Sequence, residues 1–159
     1  MNQIPTTRIH ESAVNAWTIT ASLYGLLWFF PSVIYLSLTW NHTVDWVLFT
    51  ILTTIALVLF IATSFILPKL RWKRWRYDVS EKEIDMLRGI IITTRTLVPI
   101  NRVQHVDTRQ GPIYRKFGLS SVTISTAATT HEIPALDDAT ADALRNTIAT
   151  LVRRVKEDV

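Results

Sequence analysis

His105 and Asp107 stand two residues apart in a stretch of extended character, so an imidazole and a carboxylate project from the same strand face. Such a pair could move a proton or supply two ligands to a metal. No third ligand follows at a suitable spacing and His131 lies far along the chain, which favours a solvated surface pair. Asp137, Asp138 and Asp142 form the densest carboxylate group. They open a helical pattern, where an N-cap and compensation of the helix dipole account for them. Ser120, Ser121 and Ser125 lack the Gly-x-Ser-x-Gly elbow of a hydrolase nucleophile. There is no phosphate-binding glycine loop, dinucleotide fingerprint or His-Glu-x-x-His, and no cysteine for a disulfide, a thiolate zinc site or a thiol nucleophile. The sequence predicts no catalytic residue, no cofactor site and no metal site.

Residues suited to recognition are better represented. Arg102 and Gln104, read as part of one extended strand, project to one face, and Arg109 follows. Two readings stand. Arg102 ion-pairs with a neighbour while Gln104 bonds loop backbone, or the three line a polar groove that contacts a peptide, a protein or a headgroup. Arg115 and Lys116, flanked by Tyr114 and Phe117, suit a loop that approaches anionic lipid.

The elements that must position these residues fall into two halves. Between Glu11 and Lys69 there is no lysine or arginine and one acidic residue, Asp45. Uncharged runs cover residues 16–40 and 46–67. At about 1.5 Å rise per residue they reach roughly 37 Å and 33 Å as helices, more than the ~30 Å hydrocarbon core of a bilayer. The first run is too long for the apolar region of a cleaved signal peptide. Pro31 predicts a kink within it. Residues 41–45 make the hairpin turn, flanked by Trp40 and Trp46 as interfacial aromatics. Neither run carries an ionisable group at mid-depth, which argues against an autonomous transporter, and the Thr and Ser residues of the second run are expected to assist helix packing.

Lys69, Arg71, Lys73, Arg74 and Arg76 follow at once. By the positive-inside rule this end is cytoplasmic, and two spans return the chain to its starting side. The expected organisation is a cytoplasmic tail over residues 1–15, a transmembrane hairpin over 16–68, a basic juxtamembrane segment over 69–76 and a cytoplasmic domain over 77–159, in a multi-pass protein of the bacterial cell membrane. The five cations are candidate contacts for anionic lipid. A pI near 9.7 suggests nucleic acid, but residues 77–159 carry 11 Lys/Arg and 11 Asp/Glu. The basicity is local to the membrane exit, and no nucleic-acid partner is expected.

From Trp75 the apolar pattern changes to alternation. Strands are predicted near 75–79, 84–88, 90–97, 100–110, 119–126 and 131–136, with Gly89 and Gly111-Pro112 as turns and a short helical turn over 113–117. Leu144, Ile148, Leu151 and Val155 recur at helical spacing behind the Asp137 cap. Strands followed by one helix give an α+β domain.

These residues carry a resemblance. Trp75-Arg76-Tyr77, Val98-Pro99-Ile100-Asn101-Arg102-Val103-Gln104-His105-Val106, Gln110-Gly111-Pro112-Ile113, Phe117-Gly118-Leu119, Ile124-Ser125-Thr126-Ala127 and Ile133-Pro134-Ala135-Leu136 resemble the bacterial PH-like domain of the second type. With two spans ahead of it, the chain is similar to the YdbS-type membrane proteins. The resemblance implies a partly open seven-stranded barrel capped by a C-terminal helix, of which six strands are evident in the sequence. It implies no reaction. It implies a partner, either a larger membrane protein with several such domains or a second copy, so the expected role is a binding or scaffold module, with lipid sensing as the alternative. Inositol phosphates are a poor fit, because the turn at residues 80–83 holds two glutamates.

Overall fold

The computed structural model describes residues 4–40 and 44–157 and divides the chain into two compact units. One is Trp17–Lys69; the other joins the described residues of 1–16 to those of 70–159.

The apolar runs form two helical spans, Ala13–Thr39 of 27 residues and Trp46–Arg74 of 29 residues, each long and apolar enough to cross a membrane. The first comprises α1 (Ala13–Gly25), a 3₁₀ turn (Leu26–Phe29) and α2 (Phe30–Thr39). The turn is the local answer to Pro31, which cannot donate to the Leu27 carbonyl one α-turn back. The Phe30 N–H bonds that carbonyl instead. The second span comprises α3 (Trp46–Ile61), a π turn (Ala62–Ile66) and α4 (Leu67–Arg74). Here Pro68 removes the donor for Ser64, and the Leu67 N–H reaches back to Ala62. Asp45 caps α3 by accepting from Val47 and Leu48 at 2.9 and 3.3 Å. Its own N–H donates to the Tyr35 hydroxyl oxygen at 3.2 Å, which ties the end of the loop to the first span. The rest of the expected turn, residues 41–43, lies outside the described residues. The hydroxyls of Thr50, Thr53, Thr54 and Thr63 donate to carbonyls four residues back in their own helix rather than across the hairpin. Close packing is set instead at Gly25, where an added Cβ would lie 2.9 Å from Phe60 and 3.0 Å from the Ser64 hydroxyl.

The second unit is two antiparallel sheets and a helix. The first sheet is ordered β1 (Thr7–Arg8), β2 (Arg76–Val79), β3 (Glu83–Arg88), β4 (Thr94–Pro99). A 3₁₀ turn (Ile100–Arg102) leads into the second sheet, β5 (Val103–Arg109), β6 (Leu119–Thr126) and β7 (Thr130–Asp137), with α5 (Pro112–Lys116) between β5 and β6. The last helix, α6 (Asp138–Glu157), packs on β5, β6 and the 3₁₀ turn. Ile84, Ile100, Leu119, Val122, Ile124, Ile133 and Ile148 are completely buried between these layers. Each such side chain contributes about 1.5–3 kcal/mol relative to exposure. Asp137 caps α6, accepting from the Thr140 N–H at 3.0 Å. The two sheets do not close on each other. The unit is a PH-like α+β fold with two membrane-length helices inserted after its first strand.

That first strand corrects the expectation of a separate tail over residues 1–15. Thr7 and Arg8 pair with Tyr77 and Arg76, and Ile9 is buried. The Ile9 carbonyl accepts from the Trp72 indole N–H at 3.2 Å, and the His10 N–H donates to Ala135 at 3.0 Å. The seventh strand of the barrel therefore comes from the segment ahead of the membrane helices. A second correction concerns residues 90–97. The inward residues Ile84 and Met86 face Val98 and Thr96, so the hairpin closes on Arg88 and Thr94, and residues 89–93 are left as a turn. A third concerns Arg102, which sits in the 3₁₀ turn rather than on an extended strand. The Ile100 N–H is bonded to Lys82 at 2.9 Å and the Val103 N–H to Ile100, which winds the chain at this corner.

Candidate functional site

β5 begins with Val103 buried against the core. Its pairing with β6 places Val103 opposite Thr126 and His105 opposite Ser125, so Gln104 is one residue in excess, a β-bulge. After the bulge the alternation resumes with Val106 and Thr108 half-buried and His105, Asp107 and Arg109 exposed. The bulge is what allows two valines three residues apart to face inward from one strand.

β4 and β5 are the terminal strands of their sheets, so each presents one backbone edge with no neighbouring strand among the described residues. A groove of about 600 Å³ lies at the corner between them. Its walls are Leu97, Val98 and Pro99 of β4, Asn101 and Arg102 of the 3₁₀ turn, Val103 and Gln104 of β5, residues 126–129, and His131 of β7. A second depression, of about 240 Å³, lies between β5 and α6 and is lined by Val103, Gln104, Val106, Ala149, Val152 and Arg153. A third, of about 310 Å³, is lined by Thr108, Arg109, Gln110, Ser120, Asp138 and Asp142. The three follow β5 from its first residue to its last.

The residues singled out for recognition all line this strip: Arg102 the first depression, Gln104 the first and second, Arg109 the third. All three are exposed. Among the described residues none of their side chains makes a hydrogen bond or an ion pair, so the bracing role open to Arg102 and Gln104 has no bond to support it. Gln110 contrasts with them. Its Nε2 donates to the Leu119 carbonyl at 3.1 Å and to Asp138 Oδ1 at 2.8 Å, which joins β5, β6 and α6.

The residues weighed for chemistry are dispersed or occupied. His105 and Asp107 lie on β5 opposite Ser125 and Thr123. The Ser120 hydroxyl donates to Asp138 Oδ1 at 2.7 Å, and the Ser121 hydroxyl to the Arg109 carbonyl at 3.4 Å. Asp137 is held below the usual carboxylate range by the Thr140 hydroxyl and backbone N–H, as a cap requires. Among the described residues no group of three His, Asp or Glu is placed to hold a metal.

The residues proposed for lipid contact occupy two places. Lys69, Arg71, Lys73 and Arg74 are exposed on α4, and Arg76, half-exposed, starts β2. Arg115 and Lys116 are exposed on α5. The Arg8 guanidinium lies 5.9 Å from the centre of the Trp72 ring.

No local signal marks the far wall of the groove, residues 126–129 and His131, because only the fold brings it beside β4. The bulge has a faint sign in the sequence, the three-residue spacing of Val103 and Val106.

Two membrane-length helices, an open PH-like barrel and a capping helix define a membrane protein with a PH-like domain. Sequence comparison gives the family: residues 12–152 match the bacterial PH domain family, and the chain belongs to it. It is similar to the UPF0699 transmembrane protein YdbS of Bacillus subtilis (strain 168), with 56% identity over 99 residues, 62% of this chain and 62% of that relative. The match thus spans less than two thirds of the relative's length. No solved structure matches the chain.

Proposed function

We propose that this membrane protein is a non-enzymatic binding module whose partner docks along β5. An extended segment of the partner adds to the free edge of the strand, and its side chains enter the depressions on either side. The observation that carries this reading is the combination at Gln104: a bulged, exposed residue with no internal bond, between two grooves, on an unpaired strand edge. Arg102 and Arg109 offer charge-assisted bonds to carboxylates or carbonyls at the two ends of the strip. A membrane protein with several PH-like domains, or a second copy of this chain, fits such a surface.

The five Lys/Arg at residues 69–76 against none at 41–45 support a hairpin with both ends of the chain in the cytoplasm. Alkaline phosphatase fused after Val159 is expected to be inactive; an active fusion would overturn this orientation.

The docking reading is tested by affinity purification of the full chain from native membranes. The double variant Arg102→Glu, Gln104→Arg should lose the co-purifying protein about tenfold or more, an effect of ~1.4 kcal/mol or greater, while remaining in the membrane. Equal recovery with the variant would rule out β5 as the contact.

A further inference from the structure

The turn between β3 and β4 exposes two large apolar side chains with no cover. Ile91 is 95% exposed and Ile92 81%. No other large apolar side chain among the described residues of this unit is as exposed. The turn is held in this shape by Gly89, at φ +116°, where a Cβ would lie 1.9 Å from the Ile92 carbonyl oxygen. A side chain at residue 89 would drive the turn open, so the projection of the two isoleucines is built into the backbone.

The register of the sheet shows which way the turn points. Arg8 pairs with Arg76, Arg76 with Leu87, and Arg88 with Thr94. All five residues stand at one end of the first sheet. At that same end the chain leaves β1 for α1 and enters β2 from α4. The isoleucine turn therefore extends beyond the strands at the end where the chain leaves for α1 and returns from α4. The opposite end carries Lys82 and Glu83 beside Pro99.

Cations outnumber carboxylates at the turn's end, where Glu132 shares a depression with Arg88. Arg8 and Arg88 are exposed and Arg76 half-exposed, with Lys73 and Arg74 exposed just ahead on α4. The nearest carboxylate on β3, Asp85, is bound by the Arg95 Nε at 3.0 and 3.1 Å.

An apolar tip beside exposed arginines, on a domain tethered to a bilayer, matches the anionic membrane surface. We propose that Ile91 and Ile92 insert into the acyl boundary of the membrane that holds the helices, with Arg8, Arg76 and Arg88 at the phosphate level. The insertion fixes one end of the PH-like domain against lipid and leaves the β5 strip to protein.

The absence of cysteine from the chain allows a clean test. Ile91→Cys, Ile92→Cys and, at the opposite end of the sheet, Lys82→Cys are each made in the full chain and labelled with the polarity-sensitive dye NBD. The proteins are reconstituted in vesicles of phosphatidylglycerol and phosphatidylcholine. The expected result is blue-shifted emission at 91 and 92 that lipids carrying acyl-chain spin labels quench severalfold, with water-like, weakly quenched emission at 82. Water-like emission at 91 and 92 would overturn the proposal. So would a blue shift that the labelled lipids fail to quench, since the turn would then be covered by protein.

Discussion

Gln104 and Asp137 illustrate two ways in which a polar residue is fixed by its neighbours. Gln104 owes its exposure to a broken alternation: Val103 is buried and Val106 half-buried three residues on, and the bulged residue is left pointing outward. Its type was legible in the sequence as a recognition candidate; its position between two depressions was not, because the β6–β7 turn and α6 supply their other walls. Asp137 was legible as a helix cap, since capping depends only on residues within one turn. Its lowered pKa gives a pH dependence of known sign. The folded carboxyl sits below its unfolded value, so its stabilisation is complete above the unfolded value near 4 and is lost as pH falls through the folded one. Asp137→Ala is expected to cost about 1 kcal/mol at neutral pH. In urea unfolding of the detergent-solubilised chain the gap between wild type and variant should narrow below about pH 4, and a gap independent of pH would show that the charge plays no part.

Among the elements, those defined by local pattern were readable and those defined by pairing were not. The membrane runs, β2, β6 and α6 follow from hydropathy and alternation. Ile90-Ile91-Ile92 has the composition of a strand, yet it forms a turn, because the opposition of Ile84 to Val98 and Met86 to Thr96 closes the hairpin first. β1 is only two residues long and separated from its partner by the whole hairpin, so no local signal marks it. The structure nonetheless makes it integral through Ile9, 3% exposed, and the Trp72 bond. Ile9→Ala should destabilise the PH-like unit by about 2–5 kcal/mol. Ile4→Ala, at a side chain 66% exposed, should change it by less than about 0.5 kcal/mol. Equal effects of the two substitutions in denaturant unfolding would mean that β1 is not part of the fold's core. A consequence is that a fragment beginning at Tyr77 lacks one strand of its sheet.

At the scale of the whole molecule, the charge distribution separates two tasks. The cations concentrate at the exit from the second span, and residues 77–159 balance to zero, so the basicity is local to residues 69–76 rather than spread over the PH-like unit. Two exposed surfaces stand out among its described residues: the apolar turn between β3 and β4, and the strip along β5. The family and the membrane location follow from the sequence match and the two spans. We propose that the β5 strip holds a protein. The most direct measurement places a photo-crosslinking amino acid at Gln104 of the full chain in native membranes, with Lys82 as the reference position, and identifies the adducts by mass spectrometry. A protein adduct at 104 that is absent at 82, mapping to one extended segment of the partner, is the predicted result. Adducts at 104 with lipid alone, or no adduct at either position, would contradict it.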